Sequence, residues 1–327
     1  MTSSQLNYFD LKSYLLQEVK KNGGWVNAHA HFDRAFTITK ENFHLGSIDF
    51  QKKWELNHKI ITESTIDQIY DRMAKAIEVM IAQGVYAVST FIDVNPGVKD
   101  RSIKAAEKIR EKYKKDIVIK YINQSLKGVI EKEAYDWFKV GADFVDIIGG
   151  LPSKDAGHEE EHLDVLLSTA REKNKMVHVH VDQLNDPKEH ETELLADKTV
   201  EYGMQGKVVA IHSVSVAAQP KEYRVKLYKK MKEAGLMVVA NPTAYIDDAR
   251  KEMLVPSHNS ATPVDEMVPA GITVALGTDN IADLHKPFTD GDMWIELRVL
   301  LEACRFQNLD ELVKIATVNG RKALGLE

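Results

Sequence analysis

Cysteine is almost absent: Cys304 is the only one in 327 residues. A disulfide scaffold and a four-cysteine metal site are therefore excluded, and the usage suits a reducing cytoplasm. The same scarcity excludes the nucleotide deaminases whose zinc sits on a Pro-Cys-x-x-Cys turn. Basic excess is missing too. Forty-three basic side chains face 49 acidic ones, a net charge of −6, which argues against a nucleic-acid binder because phosphate neutralisation needs a basic face. No apolar run approaches the roughly 18 residues that a membrane span needs. The stretch Met1 to Tyr14 lacks the basic start and apolar core of a signal peptide. No low-complexity segment or composition break marks a linker. The expected partner is thus a small molecule rather than a nucleic acid or a membrane. The oligomeric state, a homo-oligomer included, is left open.

The remaining composition is ordinary for a globular chain, 44% hydrophobic and 28% charged. Short β-branched or apolar runs predict eight strands: Trp25 to Ala30, Val85 to Ile92, Asp116 to Ile122, Asp143 to Ile148, Met176 to Val181, Lys207 to Ile211, Leu236 to Ala240 and Ile272 to Leu276. Amphipathic stretches such as Thr65 to Gln83, Arg101 to Lys114, His162 to Lys173 and Lys221 to Ala234 lie between them. Alternation of this kind gives parallel strands with helical crossovers. Eight repeats favour a closed α/β (β/α)8 TIM barrel over an open doubly wound sheet. Gly84, Gly141, Gly206, Gly235 and Gly271 stand ahead of strands, where glycine suits the left-handed residue that follows a helix. The expected architecture is one barrel domain over residues 1–327, with no room at either end for an accessory β-sandwich.

Active sites of such barrels lie at the C-terminal ends of the strands. Strand 1 ends His29-Ala30-His31, and residues two apart on a strand share a face. Strand 5 reads His178-Val179-His180, strand 6 ends at His212, and strand 8 ends Gly277-Thr278-Asp279. A single strand-end histidine is more often a packed rim residue than a ligand. Several imidazoles and a carboxylate at one rim are hard to place except as the donor set of a catalytic divalent metal.

The pattern resembles the amidohydrolase superfamily, and within it the cytosine deaminase branch with its triazine-ring relatives. His29-Ala30-His31-Phe32-Asp33-Arg34 is similar to the branch's His-x-His-Leu-Asp-Lys segment. Ile122-Asn123-Gln124 falls where the branch has a substrate-binding Gln, His180-Val181-Asp182-Gln183 where it has His-x-Asp-Glu, and Ile211-His212-Ser213 at its strand-6 His. Ala240-Asn241-Pro242 resembles its strand-7 Asn-Pro, and Gly277-Thr278-Asp279-Asn280 its Gly-His-Asp-Asp. Thr317-Val318-Asn319 with Leu324-Gly325-Leu326 looks like the last barrel helix, so the likeness runs from Val26 to Leu326. It implies one divalent ion, zinc or iron, held by His29, His31, His180 and Asp279. His212 would orient water, and Asp279 would carry its proton. Binuclear relatives place a bridging Lys at the end of strand 4, where Ile148-Gly149-Gly150-Leu151 stands here, which points to one metal.

Two departures bear on the chemistry: Gln183 replaces the catalytic Glu and Asn280 the second Asp. An amide has no proton that titrates near neutrality, so Gln183 binds a polar ring or amide without protonating it. That shifts weight from aminopyrimidine deamination toward hydrolysis of a cyclic or acyl C–N bond. Gln124, Asn280, His285 and Asp93 are the candidate substrate contacts, with Lys286 beside His285. The alternative for the His285–Lys286 pair is an exposed loop, and for Asp93 and Asn95 loop capping. Asp182 reads as an anchor of the strand-5 loop and His178 as a packed barrel residue. Cys304 reads as core of the Met293 to Arg305 helix, and His44, His58, His158, His162, His190 and His258 carry no assigned chemistry. A barrel that keeps the metal but only binds a ligand is the rival function. A phosphate-binding barrel fares worse, because no Gly-rich turn follows strands 7 and 8.

Overall fold

Alternate residues of each strand carry separate apolar sets, and this two-residue period builds a ring with two faces. Val26, Ala87, Phe91, Ile122, Ile211 and Val239 form one buried cluster inside it. Val88, Ile92, Tyr121, Val179, Ala210 and Val238 belong to the larger cluster between the strands and the helices. The computed structural model describes residues 9–47, 50–124, 126–246 and 261–327. Its strands are β1 (Trp25–Asn27), β2 (Val85–Asp93), β3 (Val118–Gln124), β4 (Ile147–Gly150), β5 (Met176–Val181), β6 (Val208–His212), β7 (Met237–Ala240) and β8 (Val274–Leu276). They are parallel and paired in chain order. The ring closes where Ala28 N donates to Leu276 O (2.8 Å) and Thr278 N and Asp279 N donate to His29 O (3.1 and 3.0 Å). The expected (β/α)8 barrel is therefore present, and no β-sandwich occurs among the described residues. No helix among them is long and apolar enough to cross a membrane. His258 lies outside the described residues.

Three expectations need correction, and the first two share a cause. The run Asp143 to Ile148 was expected to be strand, but the helix Lys132–Phe144 extends through Asp143 and β4 begins only at Ile147. Gly84, Gly206, Gly235 and Gly271 take the left-handed conformation, whereas Gly141 does not. Gly141 sits inside that helix because a Cβ there would lie 3.1 Å from Asn123 Cβ and 3.3 Å from Val94 Cβ. Its role is close helix–strand approach rather than helix termination. Strand 1 is also shorter than expected: its ladder stops at Asn27.

The C-terminal segment plugs the end of the barrel opposite the histidine rim. Asn319 Nδ2 donates to Val274 O (2.8 Å), and Ala323 and Leu324 join the inner cluster. His178 Nε2 donates to Ala323 O (2.8 Å), and burial pushes this imidazole down to about 3. His178 is a packed, neutral barrel residue, as its depth on β5 implies. Cys304 is buried and its Sγ donates to Thr262 O (3.2 Å).

Candidate active site

Beyond Asn27 backbone pairing continues only as separate contacts, Phe91 N to Ala30 O (2.8 Å) and a bridge between Ala30 and Asp279, and the Asn27 side chain adds to them. Its Nδ2 donates to Thr278 Oγ1 (2.9 Å) and its Oδ1 accepts from Thr278 N (3.1 Å), stitching β1 to β8 below the site. His29 and His31 then project together, their rings 4.9 Å apart and edge-on. The His180 ring, from β5, lies 4.9 Å from His29 and stacks 5.3 Å from His31. His212, from β6, lies 5.3 Å from His29. Asp279 Oδ1 stands 3.2 Å from the Nε2 atoms of both His29 and His31. His212 (φ 76°) and Asp279 (φ 57°) hold left-handed backbone conformations, a strain of order 1 kcal/mol that collects where side chains must be aimed.

Burial makes these groups good donors. It drives His31 and His180 well below the ordinary imidazole value, with Arg34 adding to the shift at His31 and His29 at His180. It pushes His212 down to about 3. Burial opposes the Asp279 charge, yet the contacts from His29 and His31 hold its carboxyl well below the usual range. Neutral imidazoles facing a carboxylate are the protonation state a divalent cation requires. His29, His31 and Asp279 present ligand atoms within 4.8 Å of one another, as do His29, His180 and His212. The residues fit a metal. His180 Nδ1 donates to Gly150 O (3.3 Å), which leaves Nε2 as the facing lone pair. Asn241 Nδ2 lies 3.0 Å from His212 Nδ1 and fixes that ring.

The end of β4 contributes backbone only. A Cβ on Gly149 would lie 2.2 Å from Asn123 O, and one on Gly150 2.1 Å from Leu166 Cδ1. No side chain, lysine included, fits there.

A cleft opens over the cluster, lined by His31, His180, His212 and Asp279 together with Gln124, Gln183, Asn280, His285 and Lys286. The exposed-loop alternative for the last pair does not hold: both line the cavity, and Lys286 is 4% exposed. Asp283 Oδ1 accepts from His285 N (2.8 Å) and Lys286 N (3.0 Å), folding the loop inward, while its other oxygen accepts from Asn280 Nδ2. Asp93 is not on the cavity wall. It is buried behind Arg34, its Oδ2 3.8 Å from Arg34 Nη1. Asn95 caps its loop, accepting from Gly97 N (3.0 Å) and Val98 N (3.2 Å).

Asp182 faces away from the cluster and accepts from Glu191 N (2.7 Å) and Thr192 N (3.1 Å), capping the helix Glu191–Glu201. Asp182→Ala should therefore cost about 1–3 kcal/mol of stability, read as a lower urea midpoint with metal uptake retained. A variant as stable as the native protein would remove this anchoring role.

Several residues in and around the wall were not singled out from the sequence as functional. Arg34 Nη2 donates to His31 Nδ1 (2.6 Å) and to Gln124 Oε1 (3.2 Å). Tyr245 Oη donates to Gln183 Oε1 (2.9 Å). Lys53 and Trp54 complete the mouth. Buried Glu296 accepts from Thr243 N (3.1 Å) and Oγ1 (2.6 Å), holding the turn after β7. Only Arg34 lay inside a recognisable motif; the others are joined by contacts between distant segments.

A Haemophilus influenzae protein described only as an uncharacterized protein is 52% identical over 262 residues, spanning 79% of this chain and 95% of that one. The N-isopropylammelide isopropyl amidohydrolase of Pseudomonas sp. strain ADP is 25% identical, over 93% of this chain and 74% of its own. The structure of Klebsiella pneumoniae 5-methylcytosine deaminase liganded with 5-fluorocytosine shares the fold with a TM-score of 0.84 at 21% identity, covering all of this chain and 79% of that one. The amidohydrolase family model matches residues 23–327, and with the histidine–aspartate rim just described the chain belongs to the amidohydrolase family.

Proposed function

We propose that this protein is a mononuclear metal-dependent hydrolase that cleaves a C–N bond of a small nitrogen heterocycle, by deamination or by amide or amidine hydrolysis. The observation that carries the reading is the convergence of His29, His31, His180 and Asp279 at the floor of one cavity, with His212 beside them. These four would hold the ion. When bound, a divalent cation supplies a Lewis acid that brings deprotonation of water into the neutral range.

The chain's own residues divide the remaining work. Asp279, anionic and buried, accepts the proton of the attacking water and delivers it to the departing nitrogen. The water oxygen bonds to the ring carbon, the C–N bond breaks, and the leaving group departs as ammonia or an amine. His212, held by Asn241, orients the water and the substituent on the attacked carbon. Gln124 and Gln183 seat the ring from opposite segments of the wall. The empty strand-4 position supports a single ion, because no side chain can bridge a second. Relatives named for hydrolysis of N-isopropylammelide and deamination of 5-methylcytosine support the bond type.

The test is ammonia or amine release from aminopyrimidines and aminotriazines, and ring opening of cyclic amides, with Zn²⁺ or Fe²⁺ restored. Turnover of at least one C–N substrate, lost on chelation, is expected. Binding without turnover across the panel would favour the ligand-binding rival.

A further inference from the structure

The cavity wall is one-sided in hydrogen-bonding sense and carries more cations than carboxylates, with Asp93 behind Arg34 and Asp283 under the Lys286 loop as buried counter-charges off the wall. Among the described residues it carries the cations Arg34, Lys53 and Lys286 against one carboxylate, Asp279, which is committed to the histidine cluster. The two amides are one-sided as well. Tyr245 occupies the Gln183 carbonyl oxygen and leaves Gln183 Nε2 buried without a partner. Arg34 occupies the Gln124 carbonyl oxygen. Gln183 therefore offers an unpaired donor at the cavity wall. An unpaired buried donor costs free energy until an acceptor reaches it.

We infer that the substrate is an acceptor-rich anion, a deprotonated oxo-substituted nitrogen heterocycle whose oxygens and ring nitrogens meet Arg34, Gln124 and Gln183. The inference rests on the proposed hydrolase reading and names the substrate class for that site. It also gives Gln183 a purpose. A glutamate at this position would set a second carboxylate against the anion, whereas the amide donates to it. The positive field extends past the wall: burial, with the charges of Lys127 and Arg34, brings the Lys154 ammonium down to about 8.

Calorimetric titration of barbiturate, an anionic trioxopyrimidine, against neutral cytosine tests this, in metal-loaded and metal-stripped protein. Barbiturate should bind at least about tenfold more tightly in both forms and weaken as salt is raised. Gln183→Glu should cost barbiturate at least about tenfold, and Gln183→Leu, which adds no charge, less. Equal affinity for the two rings, or a preference for barbiturate confined to the metal-loaded form, would overturn the inference. So would a Gln183→Glu variant that binds barbiturate unchanged. The two readings can fail separately. Anion preference without turnover of any substrate leaves this inference and removes the hydrolase. Turnover of neutral rings without anion preference does the reverse.

Discussion

Asp279→Ala will lower C–N bond hydrolysis by at least about 10⁴-fold, roughly 5 kcal/mol of barrier. Two losses coincide in this one change. Asp279 is the only acidic member of the ligand cluster, and its Oδ1 holds both His29 and His31 at 3.2 Å. Without it the imidazoles would lose their common anchor and a bound ion its anionic ligand. In the proposed mechanism Asp279 also carries a proton from water to the leaving nitrogen. Asp279→Asn separates the two roles, because the amide keeps a carbonyl oxygen but accepts no proton. The asparagine variant should retain part of its metal uptake while remaining nearly inactive. Steady-state rates and metal content measured on the same preparations decide the matter. An alanine variant with more than a tenth of native activity would remove Asp279 from the reaction.

Cytosine turnover by the native protein will be weak or absent, and Gln183→Glu will raise it. A carboxyl group can deliver a proton to a ring nitrogen as water attacks the adjacent carbon, and a positioned acid contributes about 10²–10⁴-fold. The gain in this protein falls toward the lower end of that range. Tyr245 donates to Gln183 Oε1 at 2.9 Å, and the same hydroxyl would stabilise a charged carboxylate and make it a poorer acid. Adding Tyr245→Phe to Gln183→Glu should therefore increase deamination further. Ammonia release from cytosine, isocytosine and aminotriazines in matched metal measures all three proteins. Efficient deamination by the native chain would show that another acid fills the role denied to position 183.

The histidine rim was legible because each part is local. Period-two apolar runs mark the strands, and the C-terminal ends of barrel strands are where side chains of the right phase face the mouth. Four such ends supplied His29, His31, His180, His212 and Asp279 without knowledge of any distant contact. The wall above the rim obeys no such rule. Tyr245 and Gln183 are 62 positions apart, Thr243 and Glu296 53, and Arg34 and Gln124 90. Nothing in local periodicity joins them. Lys286 looked like an exposed loop residue because its burial depends on Asp283 turning the loop through two backbone hydrogen bonds. Gly141 misled for a related reason: a glycine that ends a helix and one that lets a helix touch a strand look identical in sequence.

Metal stoichiometry tests the mononuclear site most directly. Apoprotein titrated with Zn²⁺ or Fe²⁺, followed by elemental analysis, should take up one equivalent per chain. His29→Ala, His31→Ala, His180→Ala and Asp279→Ala should each abolish or severely weaken that uptake while Asp182→Ala retains it. Two equivalents bound at the rim, or full uptake by the four ligand variants, would contradict the assignment of a single ion to these side chains.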